Sequence, residues 1–384
     1  VTEIASTDGA GDVYLDHAAT TPVLPEVFEA MVPFLGPSFA NPSAHYRAAR
    51  AVRRAVDDAR EAVAEFAGCA PDEIVFTSGG TEADNLAVRG VGGGPPGHVV
   101  VSAVEHDAVA RPAAAAGAWT VGVDRDGLID LDALATLVGT STALVSCIAV
   151  QNETGVCEPL DAVAEVVRAA SPGALLHTDA VQAAPFFPLG PLVGEWDLVT
   201  LSGHKIGGPK GIGALVVRRR ARSRLAPLLR GGGQEADLRA GTENVAGIVG
   251  FAAAAGARSV DAATVRAHRD ALAAGITAAH GDVEVTGAAH RRSPGILHLR
   301  IPGVLAEELL VLLDDAGIAA SAGSACASGA LEPSRVLEAM GWEAGAARSA
   351  MRFSIGGSTT AEEIARATAA VNGAISRLRA AGGK

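Results

Sequence analysis

The chain has 384 residues, of which 49% are hydrophobic and 19% charged, and its formal net charge is −12. That length exceeds one ordinary core, so two domains are expected, and the acidic balance argues against nonspecific binding to nucleic acid or an anionic membrane. No apolar run reaches the roughly 18 residues of a membrane span, and no basic region followed by an apolar stretch opens the chain, so a cytoplasmic protein is expected.

The first strong element is "RAARAVRRAVDDAREAVAEFAG", whose apolar positions recur every three or four residues. This predicts an amphipathic helix, with Gly68 as its C-terminal cap. "GVGGGPPGH" at 90–98 reads as a tight connection. "LDALATLV" and "LDAVAEVVRAA" predict two more helices. Around and between them lie six strand-like runs: "EIVFTSGG", "HVVVSAVEH", "TALVSCIAVQN", "ALLHTDA", "DLVTLSGHK" and "GALVVRR". Strands alternating with helices predict an α/β fold with a mainly parallel sheet covered on both faces. After about residue 258 the pattern changes. "GILHLRIPG", "AEELLVLLDDAG", the small-residue loop "SAGSACASGALEPS", "AMRFSIGG" and a final Ala-rich helix predict a smaller α+β domain.

Five of the runs end in polar residues: "TSGGTEADN", "EHD", "QNETG", "TDAVQ" and "SGHK". Ligands of open α/β sheets bind beyond the carboxyl ends of the strands, so these endings converge on one crevice. The turn around Gly80 and Thr81 leads into a helix, and its free N–H groups suit a phosphate; a plain helix N-cap by Thr81 is the alternative. Asp179 would need a cationic partner if buried; otherwise it is a turn aspartate. His106 is both a platform for a flat ring and a catalytic proton carrier, or it is a core histidine. Lys205, directly after an apolar run, is a nucleophilic amine or a solvated loop lysine. Together the functional readings describe a pyridoxal 5'-phosphate site, in which a lysine holds the aldehyde and an acid faces the ring nitrogen. The four cysteines, Cys69, Cys147, Cys157 and Cys326, form no CxxC pair or Cys/His cluster, so neither a metal site nor a disulfide framework is expected. Cys69, Cys147 and Cys157 read as buried small hydrophobes. Cys326, among small residues, reads as an accessible nucleophile.

The motif series "YLDHAATTP", "TSGGTEADN", "VEHDAV", "NETGV", "HTDAVQ", "SGHKIGGPKG", "GGGQEADLRAGTENV", "GSACAS" and "LEPSRVL" resembles the pyridoxal-phosphate cysteine desulfurases of the class V aminotransferase fold group. Within them it is similar to the subgroup with the longer mobile loop. The resemblance implies a fold type I architecture with a seven-stranded sheet. It implies a large cofactor-binding domain over residues 15–257, and a small domain from 1–14 and 258–384 that carries the Cys326 loop. It further implies that Lys205 carries the cofactor and moves the Cα proton, that Asp179 pairs with the ring nitrogen, and that Gln182 bonds the phenolic oxygen. His106 would stack on the ring, and Gly80, Thr81, Ser202 and His204 would hold the phosphate, with Thr242 reaching that of a second subunit in a homodimer. Asn152 would touch both substrate and cofactor. Arg352, helped by Asn41, would clamp the substrate carboxylate. The implied activity removes sulfur from L-cysteine through a ketimine and a Cys326 persulfide. It yields L-alanine and sends sulfur to an acceptor protein, an iron–sulfur scaffold or a thiolation carrier. A selenocysteine lyase, another β-eliminating relative, or an inactive scaffold on the same fold are the alternatives. Four positions depart from the usual pattern: Ile206-Gly207 where a bulky aromatic is usual, Ala236 where an arginine is usual, Tyr46 where a histidine is expected, and Gln151 for asparagine.

Overall fold

The computed structural model describes residues 11–91, 99–257, 260–322 and 334–382. Most of the 90–98 connection, and Cys326 with most of its loop, lie outside the described residues. The chain opens with the short strand β1 (Val13–Tyr14). The main sheet is built from β2 (Ile74–Thr77), β3 (Val99–Ser102), β4 (Trp119–Val121), β5 (Leu144–Ser146), β6 (Leu175–Asp179), β7 (Leu198–Ser202) and β8 (Gly213–Val217). Their order is β2-β8-β7-β6-β5-β3-β4. Only β8 runs against its neighbours, pairing antiparallel with β2 and β7; the other pairs are parallel. The carboxyl ends of β2, β3, β5, β6 and β7 therefore share one edge.

Alternation along these strands feeds two cores. Phe76, Val100, Val145, Leu176 and Val199 face one side. Val75, Val101, Leu144, Leu175 and Leu198 face the other. Both sets are apolar because helices cover both faces. The helices α1 (Pro25–Leu35), α2 (Arg47–Ala67), α3 (Gly80–Gly90), α4 (Asp107–Ala115), α5 (Leu131–Leu137) and α6 (Leu160–Ala170) follow in chain order. In α2 the buried positions are Ala49, Val52, Val56, Ala59, Val63, Ala64 and Ala67, the stripe the sequence predicts.

The six strand-like runs of the sequence all form strands. The seventh strand, β4, is the addition. It lies at the sheet edge with Trp119 and Thr120 exposed, so "WTV" carries no apolar run to betray it. Past residue 260 a separate core gathers Leu272, Leu297, Leu299, Leu309 and Phe353 around a three-stranded antiparallel sheet, and takes in Val13 and Leu15 from the start of the chain. That sheet joins β9 (Glu284–Val285), β10 (Ile296–Arg300) and β12 (Ala350–Ser354). A further strand, β11 (Ile318–Ala319), pairs parallel with β1.

Gly68 ends α2 with φ +67°, a conformation that costs a residue with a Cβ. A Cβ there would also lie 2.4 Å from Gly190 Cα, which is backbone and cannot swing away. Gly68→Ala is expected to destabilise the protein by about 1–3 kcal/mol. A denaturant titration checks this as a lower midpoint at unchanged slope.

Candidate active site

Lys205 sits in a tight helical turn, Gly203–Lys205, just past β7. Its Nζ donates to the carbonyls of Ala18 (2.5 Å) and Ala19 (2.7 Å). Gln182 Nε2 donates to the same Ala18 carbonyl at 2.8 Å. His204 Nδ1 lies 3.1 Å from Thr20 Oγ1. Burial, then the charges of Lys205 and Lys210, push His204 down to about 4, so its ring is neutral at pH 7. Residues 18–20 thus bind three of the predicted site side chains.

Asp179 is the buried last residue of β6. Its Oδ1 accepts from Val181 N at 2.9 Å, so it also serves its own turn. Burial and the nearby Asp84 raise its pKa to about 7, against the lowering effect of His106. His106 is the N-cap of α4, and its Nδ1 accepts from Ala108 N. Donor atoms of Asp84, His106 and Asp179 lie within 4.8 Å of one another. Sequence reasoning passed over Asp84. Its signal was a carboxylate on the buried face of α3, between Ala83 and Leu86.

The phosphate-type turn departs from one expectation. Thr81 is not the N-cap of α3: Gly79 holds that place with no side-chain cap. Instead Glu82 Oε2 accepts from Ser78 N (2.8 Å), while Oε1 accepts from Arg239 (2.9 Å). The first N–H groups of α3 keep their free directions, as helix starts do. Gly80 faces Val181, Thr200 and Ser202 so closely that a Cβ would come within 3.1 Å of Val181 Cγ2. Thr242 is exposed and, with Thr77, Ser78 and Arg239, lines a neighbouring cavity of about 190 Å³.

Arg352, on β12, is 3% exposed, which rules out a surface strand-edge role. Its Nη2 pairs with Asp16 Oδ1 at 2.8 Å and its Nη1 donates to Asn152 O at 3.0 Å. Asp16, at the end of β1, was also not singled out from the sequence. Asn41 is exposed, and its Oδ1 accepts from Ser43 N. Gln151 explains one departure. Its Oε1 accepts from Glu153 N and Thr154 N, which fixes the turn that presents Asn152. Gly207 explains another. Its φ is +85°, and a Cβ would lie 2.6 Å from Leu24 Cγ, so the usual aromatic does not fit this backbone. Ala236 lies in a run of three left-handed residues, Glu235 to Asp237. The run aims the buried Glu235 at Arg60 (2.6 Å) and at Phe76 N (2.8 Å). Tyr46 is exposed at the N-cap of α2.

The class-V aminotransferase family pattern matches residues 13–367. A cysteine desulfurase of Cereibacter sphaeroides is 43% identical over 96% of this chain and 97% of its own. A solved NifS-like protein superposes with a TM-score of 0.88 at 31% identity, covering 95% of this chain and all of the other. The structure of SspA in complex with cysteine gives a TM-score of 0.79 at 31% identity, over 89% and 98% of the two chains. The fold and site are those of a pyridoxal-phosphate enzyme, and the chain belongs to the class-V aminotransferase family. Within that family it belongs to the cysteine desulfurases.

The residues present fit pyridoxal phosphate. A crowd of buried carboxyl groups, Asp84, Glu105 and Asp179, lies at the strand ends, and burial raises all three. A pyridinium nitrogen is the cation that such a donor set favours. The uncapped start of α3 beside Ser202 suits the phosphate.

Cys69, Cys147 and Cys157 pack against the main core, as expected of small hydrophobes. Burial pushes Cys69 up to about 12 and Cys157 to about 11, and Cys147 well above the ordinary thiol value. All three are expected to resist iodoacetamide in the folded protein at pH 7.5. Mass spectrometry of the tryptic peptides checks this, with alkylation appearing only after denaturation.

Proposed function

We propose that this chain takes sulfur from L-cysteine, leaves L-alanine, and passes the sulfur through Cys326 to an acceptor protein, working as a homodimer. The observations that support the reading are Asp179 and Lys205 at the ends of the neighbouring strands β6 and β7, His106 close to Asp179, and Arg352 reaching Asn152 from β12. Pyridoxal phosphate, when bound, supplies an electron-withdrawing ring and an aldehyde for the substrate amine. Lys205 would hold that aldehyde, and its Nζ would move the Cα proton. Asp179 would keep the ring nitrogen charged, Gln182 and Asn152 would bond the ring and its substituents, and His106 would cover one face. Gly80, Thr81, Ser202 and His204 would hold the phosphate from one subunit, and Thr242 would reach it from the other.

Arg352 receives the substrate carboxylate, with Asn41 at the rim. Asp16 holds Nη2 of the guanidinium, and the buried Nε, without a hydrogen-bond partner among the described residues, is left for a ligand oxygen. Cys326 supplies the thiolate. The substrate's carbon–sulfur bond breaks, a sulfur–sulfur bond forms on Cys326, and the protons stay with alanine and the persulfide. A thiol on a small-residue segment supports this role, as does the burial that raises the other three thiols. The division into 15–257 against 1–14 with 258–384 belongs to the same reading. Its support is the separate core formed around Leu297 and Phe353. The homodimer is supported by the apolar residues Phe28, Val32 and Leu35 exposed along α1, with Phe39 beyond it. The acceptor is a protein of an iron–sulfur or thiolation route.

The test is release of alanine and sulfide from L-cysteine with pyridoxal phosphate and dithiothreitol present. Equimolar products are expected from the wild type. Lys205→Ala is expected to lose at least about 10²–10⁴-fold, the usual worth of a positioned proton-transfer group. Sulfide release that survives Cys326→Ala would overturn the persulfide step. Light scattering is expected to give twice the chain mass; a single-chain mass would sink the shared-site dimer.

A further inference from the structure

The turn that follows β1 is built so that two carbonyls leave it on one side. Ala19 N and Thr20 N both donate to Asp16 O, at 3.0 and 3.4 Å. In a planar trans peptide the N–H and the C=O point in opposite directions. The N–H of Ala19 shares its peptide with the carbonyl of Ala18, and that of Thr20 with the carbonyl of Ala19. Drawing both N–H groups in to Asp16 O therefore turns both carbonyls out. Ala18 N is taken up as well, by Ser354 Oγ at 2.8 Å. The two carbonyls accept from the same atom, Lys205 Nζ, at 2.5 and 2.7 Å.

A carbonyl oxygen only accepts hydrogen bonds, so both contacts need a proton on Nζ. A lysine joined to an aldehyde keeps at most one N–H and cannot serve both. The pair therefore suits the lysine when it is free. It suits the ammonium best, because a charged donor makes the shorter and stronger bond. An ammonium is what Lys205 becomes when it works as a base. Its lone pair takes the Cα proton, and the electron pair of the C–H bond stays with the substrate. The same proton leaves Nζ when it is given back to carbon.

We propose that the carbonyls of Ala18 and Ala19 form a dock for the Lys205 ammonium, and that Tyr14 is the positioning residue that keeps the dock in shape. The Tyr14 hydroxyl spans the turn, 3.0 Å from Asp16 O and 2.9 Å from Thr20 O, with Ala18 and Ala19 between them in the chain. Burial, and after it Asp16, raise the pKa of Tyr14, so the hydroxyl keeps its proton and stays a donor. The Tyr14 ring stands edge-on to His17, with centroids 5.0 Å apart, a contact that needs no hydroxyl. The part played by the dock in proton transfer rests on the function proposed above; the dock itself does not.

The apoprotein tests the dock alone. The lysines of the chain are Lys205, Lys210 and Lys384, and the exposed Lys210 serves as an internal reference. Reductive methylation attacks only an amine with a free lone pair, and mass spectrometry reads it peptide by peptide. Lys205 should react at least about tenfold more slowly than Lys210, the worth of a charge-assisted hydrogen bond; equal rates would overturn the dock. Tyr14→Phe removes one oxygen and leaves the ring. It should speed Lys205 by about threefold or more, the worth of one neutral hydrogen bond, with Lys210 unchanged. An unchanged Lys205 would overturn the role of Tyr14. If the variant fails to fold, ¹⁵N spectra of the wild type labelled at lysine Nζ decide. A slowly exchanging ammonium signal that Lys205→Ala removes upholds the dock; the absence of such a signal overturns it.

The link to proton transfer is read by exchange of the Cα proton of L-alanine in deuterium oxide with pyridoxal phosphate present, a step that does not involve Cys326. Tyr14→Phe should slow this exchange by about threefold or more, while binding of pyridoxal phosphate, followed by absorbance, stays as in the wild type. Cofactor binding that weakens in step with the exchange would overturn the link, because Tyr14 would then support the cofactor site as a whole. A docked lysine in the apoprotein with no exchange by the loaded wild type would instead count against the proposed function.

Discussion

A sheet covered on both faces allows charge to emerge in few places. Within the strands, side chains on either side meet packed apolar neighbours. Polar groups therefore collect where the strands stop, at the edge shared by β2, β3, β5, β6 and β7. Those that must sit deeper, such as His177 and Thr200, bond one another across neighbouring strands. The site is the part of the core where apolar packing gives way, and its acidity constants follow from that position. Burial is the largest cause for Asp84, Glu105 and Asp179 alike, and neighbouring charges only adjust it.

Much of this was legible in the amino acids. Runs such as "ALLHTDA" state both the strand and its polar ending, because the parallel arrangement demands apolar residues on both faces up to the last position. The stripe of α2 and its Gly68 cap were equally plain. What escaped notice was whatever depends on pairing across the fold. The edge strand β4 has two of its three residues exposed and no periodic pattern. Asp16 follows an ordinary short strand, and only the arrival of Arg352 from more than 300 residues away gives it a role. Asp84 looks like a helix-surface acid until α3 is laid on the sheet. Thr81 has the right residue type for a cap, yet the helix starts one residue earlier, after a glycine.

The departures from the family pattern separate into local causes. Gly207 is dictated by its own backbone and by Leu24. Gln151 works as a brace inside a turn, a task its longer side chain performs with two backbone donors. Ala236 is different: it accepts a left-handed backbone without glycine's freedom. That strain, of order 1–2 kcal/mol for such a residue, is set against the buried pair of Glu235 with Arg60.

The segment from Val13 to Thr20 belongs to two bodies at once. Val13 and Leu15 are packed in the core around Phe353, while the carbonyls of Ala18 and Ala19 hold Lys205 at the end of the main sheet. The amine is thus moored by a tether fastened to the other body. A shift of one core against the other would act on that mooring. The reactivity of Lys205 is in this sense a gauge of alignment, so the chain can lose its chemistry to a small misalignment while nearly all of its secondary structure remains.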